Sequence, residues 1–213
     1  MQFSKVFTGL IGIAAALTVG VGEYLLHYDA LARFSAGEYQ FLVGINEKRT
    51  SIGHFLGVFG APLYLLGCYH LYQMLRPANN KLAFTAFLIG SFGFVIGAVW
   101  IGSRASVSAL MQLGSEPQIN GLIALYQYRY ESLLHLVRIS VLLLSLIYCY
   151  LVLSGKSHYP KWMVACNPLF MVLLSFVVYL IAPGIGKHML PIALNIGFFI
   201  FFSLSVCFAF KAR

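Results

Sequence analysis

Charged residues are scarce in this sequence. They make up only 9% of its 213 residues, whereas a soluble domain of this size carries about a quarter. Hydrophobic residues account for 60% of the chain, and the mean hydropathy is +0.84. This composition excludes an ordinary soluble domain and predicts an integral membrane protein.

Sequence motifs of the common nucleotide-dependent enzymes are missing. The chain has no phosphate-binding glycine loop, no dinucleotide fingerprint and no G-x-S-x-G nucleophile elbow. Its four cysteines include no C-x-x-C pair, which argues against a disulfide framework or a thiol relay. The basic residues flank apolar stretches instead of forming a patch, so we expect no nucleic-acid partner.

Long apolar stretches dominate what is present, and a helix of about 20 such residues crosses a bilayer. Six of them lie at residues 6–27, 53–75, 82–103, 132–153, 162–182 and 190–210. The longest connections, 28–52 and 104–131, leave no room for a separate soluble domain. The sequence therefore predicts an all-α, polytopic membrane protein, in which residues 1–213 form a single bundle of six transmembrane helices.

The charged residues are divided unevenly between the two predicted faces of the membrane. The net charge is +8, yet every acidic residue is predicted on the face that holds the odd-numbered loops. The opposite face, which carries both termini, is purely basic and suits anionic cytoplasmic lipid. We therefore predict cytoplasmic termini, a location in the cell membrane and an acidic face directed away from the cytoplasm. The acids are Glu23, Asp29, Glu38, Glu47, Glu116 and Glu131.

Ionisable residues recur on the small-residue faces of several predicted helices, near the acidic face of the membrane. In the first helix, Gly12, Ala16, Gly20, Glu23 and His27 form one stripe at a spacing of three or four residues. Small residues let helices approach closely, so the inward stripe also carries an acid and an imidazole. Similar residues on other helices predict one polar cluster, composed of Glu23, His27, His54, Arg104, Glu131, His135, Arg138 and His188.

The leading hypothesis for this cluster is a metal-dependent hydrolase that acts on a lipid-like or small amphiphilic substrate at the bilayer. Imidazole and carboxylate suit zinc or iron, and a catalytic site needs three such ligands and a position for water. The proposed metal ligands are His27, His54, His135 and His188. The proposed catalytic residues are Glu23, Glu131 and Arg138, and Arg104 is assigned to the binding of a cofactor or of an anionic substrate group.

Two other kinds of site remain open. The cluster also fits a polar network that binds a proton or an anion in a transporter, because ionisable groups inside a membrane need partners. In that network Glu23 is expected to pair with His135 or Arg138. A single haem held by histidines from two helices is the third possibility. Outside the cluster, His70 and Trp100 are predicted to anchor the protein at the membrane interfaces.

One segment resembles known proteins. His54-Phe-Leu-Gly, Pro62-Leu-Tyr-Leu-Leu-Gly and His70-Leu-Tyr resemble bacterial multi-span membrane families of unknown function, which implies a membrane location but no activity. The polar cluster is also similar in style to that of alkaline-ceramidase-like membrane hydrolases, which use histidines and an aspartate from several helices. This chain departs from them because it has six predicted spans instead of seven. It also has Glu-x3-His motifs in place of their serine- and histidine-based signatures. The resemblance therefore assigns no residue roles.

Overall fold

The computed structural model describes residues 2–33, 39–113 and 117–211, and every regular element in those ranges is helical. The all-α prediction is therefore confirmed for the described residues, while Glu38 and Glu116 lie outside them. The α-helices are α1 Gln2–His27, α2 Glu47–Gly60, α3 Leu63–Leu75, α4 Asn80–Met111, α5 Pro117–Leu153, α6 Pro168–Ile181, α7 Pro183–Met189 and α8 Ala193–Lys211. Short 3-10 helices occupy Gln40–Leu42, Lys161–Cys166 and Leu190–Ile192.

Five helical stretches of the described chain are long and apolar enough to cross a membrane, compared with the six that were predicted. They are Phe3–His27, Glu47–Leu75, Asn80–Met111, Ile119–Leu153 and Pro183–Lys211. The remaining predicted span, 162–182, contains a 3-10 helix and then α6, which has only 14 residues. Proline disfavours a helical residue before it and donates no backbone hydrogen bond, so Pro168 leaves Asn167 extended and starts a new helix there.

The predicted connection at 104–131 is wrong, because helix fills most of it. Helix α4 continues to Met111 and α5 begins at Pro117. Alanine, leucine and methionine favour helix, and they dominate the residues that follow Arg104. Arg104 and Glu131 therefore lie within long helices and not in a loop, which gives their side chains rigid supports.

Helices α1 and α8 are antiparallel, and contacts along them define the two ends of the bundle. At one end the His70 ring contacts the Lys5 carbonyl oxygen at 2.7 Å and the Ser205 hydroxyl at 2.6 Å. At the other end, Asn195 of α8 donates to Glu23 of α1. We call the first the basic end. The second is the acidic end, because it carries the described acids Glu23, Asp29, Glu47 and Glu131.

Glycine permits the close packing of α1 between its neighbours. A Cβ atom on Gly22 would lie 2.7 Å from the backbone nitrogen of Gly57 in α2, so no larger residue fits there. On another face of α1, a Cβ on Gly12 would lie 2.9 Å from the Phe202 ring of α8. The predicted small-residue stripe of the first helix thus packs against α8, and it carries Glu23 into the interior.

Candidate functional site

An arginine surrounded by aromatic rings lies at the acidic end. The guanidinium carbon of Arg104 is 4.5 Å from the ring centre of Tyr130, 5.1 Å from that of Trp100 and 5.3 Å from that of Phe41. Trp100 and Arg104 share one face of α4 because they are four residues apart. Tyr130 comes from α5, and Phe41 comes from the 3-10 helix before α2. We call these three rings the aromatic cage.

Hydrogen-bond donors in and beside the aromatic cage have no acceptors. Arg104 is only 6% exposed, and neither its Nε nor its Nη1 has a hydrogen-bond partner. The Trp100 indole N–H and the Tyr130 hydroxyl are also buried without partners. Nε2 of His27 is buried without a partner as well, but it is an acceptor, because the other ring nitrogen donates to the Pro191 carbonyl. The rings are adjacent, with centres 5.2 Å apart for Trp100 and Tyr130 and 5.7 Å apart for Trp100 and His27. Buried polar groups are nearly always paired, so this set indicates a place for an acceptor-rich group.

Two carboxylates attract the guanidinium of Arg104, but each accepts its hydrogen bond from a neutral donor. Electrostatic attraction from Glu23 and Glu131 acts on the guanidinium. Glu23 accepts a hydrogen bond of 2.5 Å from Asn195, and Glu131 accepts one from the Tyr39 hydroxyl. The guanidinium N–H groups at Nε and Nη1 therefore stay available.

Tyr39 is held in an uncommon backbone conformation, with φ at 55°. For a non-glycine residue this left-handed conformation is strained, and here it accompanies the contact of the side chain with Glu131. Burial, and to a smaller extent the hydrogen bond to Glu131, raises the pKa of Tyr39 above its usual value. Tyr39 therefore remains a phenol and acts as the donor in this bond.

A cavity of about 60 Å³ adjoins the aromatic cage, which is room for a few atoms or water molecules. Trp100 and Glu23 lie on its wall, together with Asn195 and Tyr64. The Tyr64 hydroxyl donates to Oδ1 of Asn195 at 2.7 Å, so a chain of hydrogen bonds leads from Tyr64 through Asn195 to Glu23. The remaining wall is formed largely by apolar residues and by glycines of α4.

The histidines predicted as metal ligands do not form one group. His27 lies against Trp100 and Phe41, and the His54 ring lies beside Phe55. His188 stacks on Tyr28, with ring centres 4.7 Å apart, and its Nδ1 is bonded to the Tyr24 hydroxyl. His135 is exposed. Within the described ranges, no three His, Cys, Asp or Glu side chains are grouped so that they could hold a metal ion.

The predicted partners of Glu23 differ from the observed one. Neither His135 nor Arg138 is its hydrogen-bond partner; both are exposed, and Asn195 takes that place. Arg138 acts electrostatically on Tyr39, so it lies near the acidic end but outside the aromatic cage. Of the predicted site residues, the structure thus brings Glu23, His27, Arg104 and Glu131 together and leaves His54, His135, Arg138 and His188 apart.

Sequence reasoning missed the aromatic part of the site. Trp100 was predicted to be a membrane-interface residue, but it contacts Arg104 together with Tyr130, which is 2% exposed. The spacing of Trp100 and Arg104 by four residues was the available signal. His70 was also misassigned, because it is completely buried and bonded at both ring nitrogens.

Comparison with known proteins gives a family but no activity. No curated protein and no solved structure matches the chain, and the similarity to alkaline-ceramidase-like hydrolases therefore receives no support. The resemblance to families of unknown function agrees with a match to a family model, which covers residues 4–212. The chain belongs to DUF6796, a family of unknown function.

Proposed function

We propose that this protein is a multi-pass membrane carrier that binds an amphiphilic anion at Arg104. The observation that supports the proposal is the set of buried donors without acceptors around that guanidinium. The metal-dependent hydrolase has no comparable support, because the predicted histidine ligands are dispersed. Haem ligation by two histidines likewise gains no support from their surroundings.

An oxyanion such as a carboxylate, phosphate or sulfonate suits these donors. Its oxygens would accept hydrogen bonds from Nε and Nη1 of Arg104, from Trp100 and from Tyr130. Arginine binds such groups through paired N–H donors, and charge-assisted bonds of this kind are strong. A buried donor without a partner costs about 1–3 kcal/mol, so a ligand that pairs several of them gains that free energy on binding.

The charge count at the site implies that a proton accompanies the anion. Arg104 is the buried cation and carries one positive charge, whereas Arg138 is exposed to the surroundings. Glu23 and Glu131 carry two negative charges when both are ionised. A bound anion would add a third negative charge in a buried environment, where uncompensated charge is costly. Protonation of one carboxylate removes that cost, and we assign the proton to Glu23 because it lies on the cavity wall.

We further propose six membrane crossings with both termini in the cytoplasm. Because α1 and α8 are antiparallel, the chain makes an even number of passes between the two ends of the bundle. The 3-10 helix Lys161–Cys166 together with α6 would provide the sixth pass. A fluorescent protein fused after Arg213 should then fold and fluoresce in the cytoplasm of a bacterial host, whereas a dark fusion with full-length expression would refute this orientation.

Tryptophan fluorescence offers a direct test of anion binding. The chain has two tryptophans, and Trp162, which is 54% exposed, lies beside Phe208 near the end of α8. In a Trp162→Phe background the emission reports Trp100 alone. A bromoalkanesulfonate should quench it saturably, because bromine quenches indole at short range and the sulfonate stays anionic at every pH used. The matching bromoalkanol should quench only in proportion to its concentration.

Variants assign the binding to the site. Arg104→Gln should abolish saturable quenching, whereas Arg129→Gln should retain it, since Arg129 also lies near a tyrosine but at the surface. Glu23→Gln should tighten sulfonate binding at neutral pH, because it removes one negative charge. Equal quenching in the Arg104→Gln and parent proteins would refute the proposal.

A further inference from the structure

Three voids follow one another along a single face of α5. The first is the 60 Å³ cavity beside the aromatic cage, which has Val141 and Leu144 on its wall. The second, of about 20 Å³, shares those two residues and adds Ser145 and Asn167. The third is a groove of about 490 Å³, which again has Ser145 and Asn167 on its wall. Each void shares wall residues with the next, so the three form a series and not three unrelated gaps.

The series begins one residue away from a cationic side chain, since Arg104 is not itself on the wall of the first void, and it ends at another. Trp100, which contacts Arg104, is on the wall of the first void at the acidic end. Lys161 and Trp162 are on the wall of the groove toward the basic end, and both are exposed. Between these ends the walls are mainly apolar. A molecule with one anionic group and an apolar chain matches both the terminal charges and the lining between them.

The middle of the series is narrow but has a helix break beside it. Asn167 is 4% exposed, and its Oδ1 accepts hydrogen bonds from the Ser145 hydroxyl and from the Leu169 backbone nitrogen, each at 2.9 Å. The Ser145 bond joins the start of α6 to α5, and Pro168 interrupts the helical backbone at that point. Helix breaks next to a cavity are tolerated in membranes where other groups satisfy the backbone. Movement of α6 at this break would widen the narrow void without breaking a continuous helix.

We infer that the three voids are the closed form of a path that carries the amphiphilic anion between Arg104 and Lys161 along α5. This inference rests on the proposed function. Val141 and Leu144 form the narrow part because they line both the first and the second void. Arg104 supplies the binding site at one end of the path, and Lys161 holds the anionic group at the lipid-facing groove.

Transport by proteoliposomes tests the path separately from binding. Octanesulfonate is a suitable probe, since it stays charged and crosses a protein-free bilayer poorly. Val141→Phe should lower the uptake of radiolabelled octanesulfonate by roughly tenfold or more, because a larger side chain in the path raises the barrier. Leu144→Phe is a second variant in the same narrow part. Leu143→Phe is the matched control, as Leu143 is 43% exposed on the apolar surface, and its uptake should equal that of the parent.

Quenching of Trp100 in the same variants separates the possible outcomes. Retained sulfonate binding with lost uptake in Val141→Phe or Leu144→Phe supports the path, and it also shows that the variant is folded. Unchanged uptake in both variants overturns the path and leaves the binding site standing. Parent protein that binds the sulfonate without transporting it also overturns the path, whereas parent protein that does not bind it refutes the proposed function itself.

Discussion

The two ends of the bundle each bury a polar cluster, and the clusters differ in whether their hydrogen bonds are complete. At the basic end, His70 is fully buried and both ring nitrogens are bonded. Ser205 continues the network to the Tyr159 hydroxyl at 2.6 Å. At the acidic end, Arg104 is almost as buried, yet Nε and Nη1 have no acceptor. The His70 network is therefore complete, although Oε1 of Gln73 at the same end has no partner, whereas the aromatic cage leaves several donors unpaired.

This difference indicates a structural role for the His70 network and favours a binding role for the aromatic cage. A buried network in which every member is paired rigidifies the helices that it joins. The His70 network joins α1, α3 and α8 with the segment at Tyr159, and it needs nothing else. Unpaired buried donors cost free energy until a ligand pairs them, so their presence at Arg104 favours binding over structure.

The largest expected effect is on stability at the basic end. His70→Ala removes both ring hydrogen bonds and leaves a cavity against Phe202, so we expect a loss of about 2–3 kcal/mol in the free energy of unfolding. His54→Ala is the matched control, because His54 is half-buried and its Nδ1 has no partner. Thermal unfolding of the purified proteins in detergent measures both. A melting temperature for His70→Ala as high as that for His54→Ala would contradict the structural role of the network.

Removal of one tyrosine hydroxyl at each end of the bundle should change stability by less than His70→Ala does. Tyr159→Phe breaks a buried hydrogen bond to Ser205 and should cost about 1 kcal/mol of stability. Tyr130→Phe removes a hydroxyl that has no partner, so stability without ligand should stay the same while sulfonate binding weakens. Unfolding curves and Trp100 quenching, recorded on both variants, give the two readouts. Greater destabilisation of Tyr130→Phe than of Tyr159→Phe, or loss of sulfonate binding in Tyr159→Phe, would contradict the different roles of the two ends.

The smallest expected effect is a pH dependence at the basic end. Burial, together with the charges of Lys5 and Arg76, lowers the pKa of His158, and Nε2 of this ring contacts the Lys5 ammonium at 3.1 Å. Because the folded pKa is below the unfolded value of about 6.5, stability is complete above that pH and declines as the pH falls toward the folded pKa. The melting temperature should therefore drop slightly in this acidic range.

His158→Gln isolates that contribution, since the other histidines are unchanged. The difference in melting temperature between the parent and this variant should change with pH only below about 6.5. A difference that is constant with pH would mean that His158 titrates alike in the folded and unfolded states.

Much of the candidate site could be predicted, because helical periodicity places residues on faces. The stripe that ends in Glu23 and His27 packs inward, and Arg104 and Glu131 reach the same end of the bundle. The partners could not be predicted. Asn195 and Tyr39 take the places expected for charged groups, since periodicity does not define which helices are neighbours or how they are aligned along their axes. Metal binding at His27, His54, His135 and His188 stays a prediction without structural support.

The helical class, the apolar character and the concentration of acidic residues at one end follow from the composition and spacing of the sequence. The pairing of each polar group, in contrast, depends on how the helices pack in three dimensions. His70, which was predicted to be a membrane-interface anchor, is hydrogen-bonded at both ring nitrogens, and Arg104 is enclosed by aromatic rings without acceptors at Nε and Nη1. Pairing depends on distances of a few ångströms between helices remote in sequence, and no local pattern contains those distances.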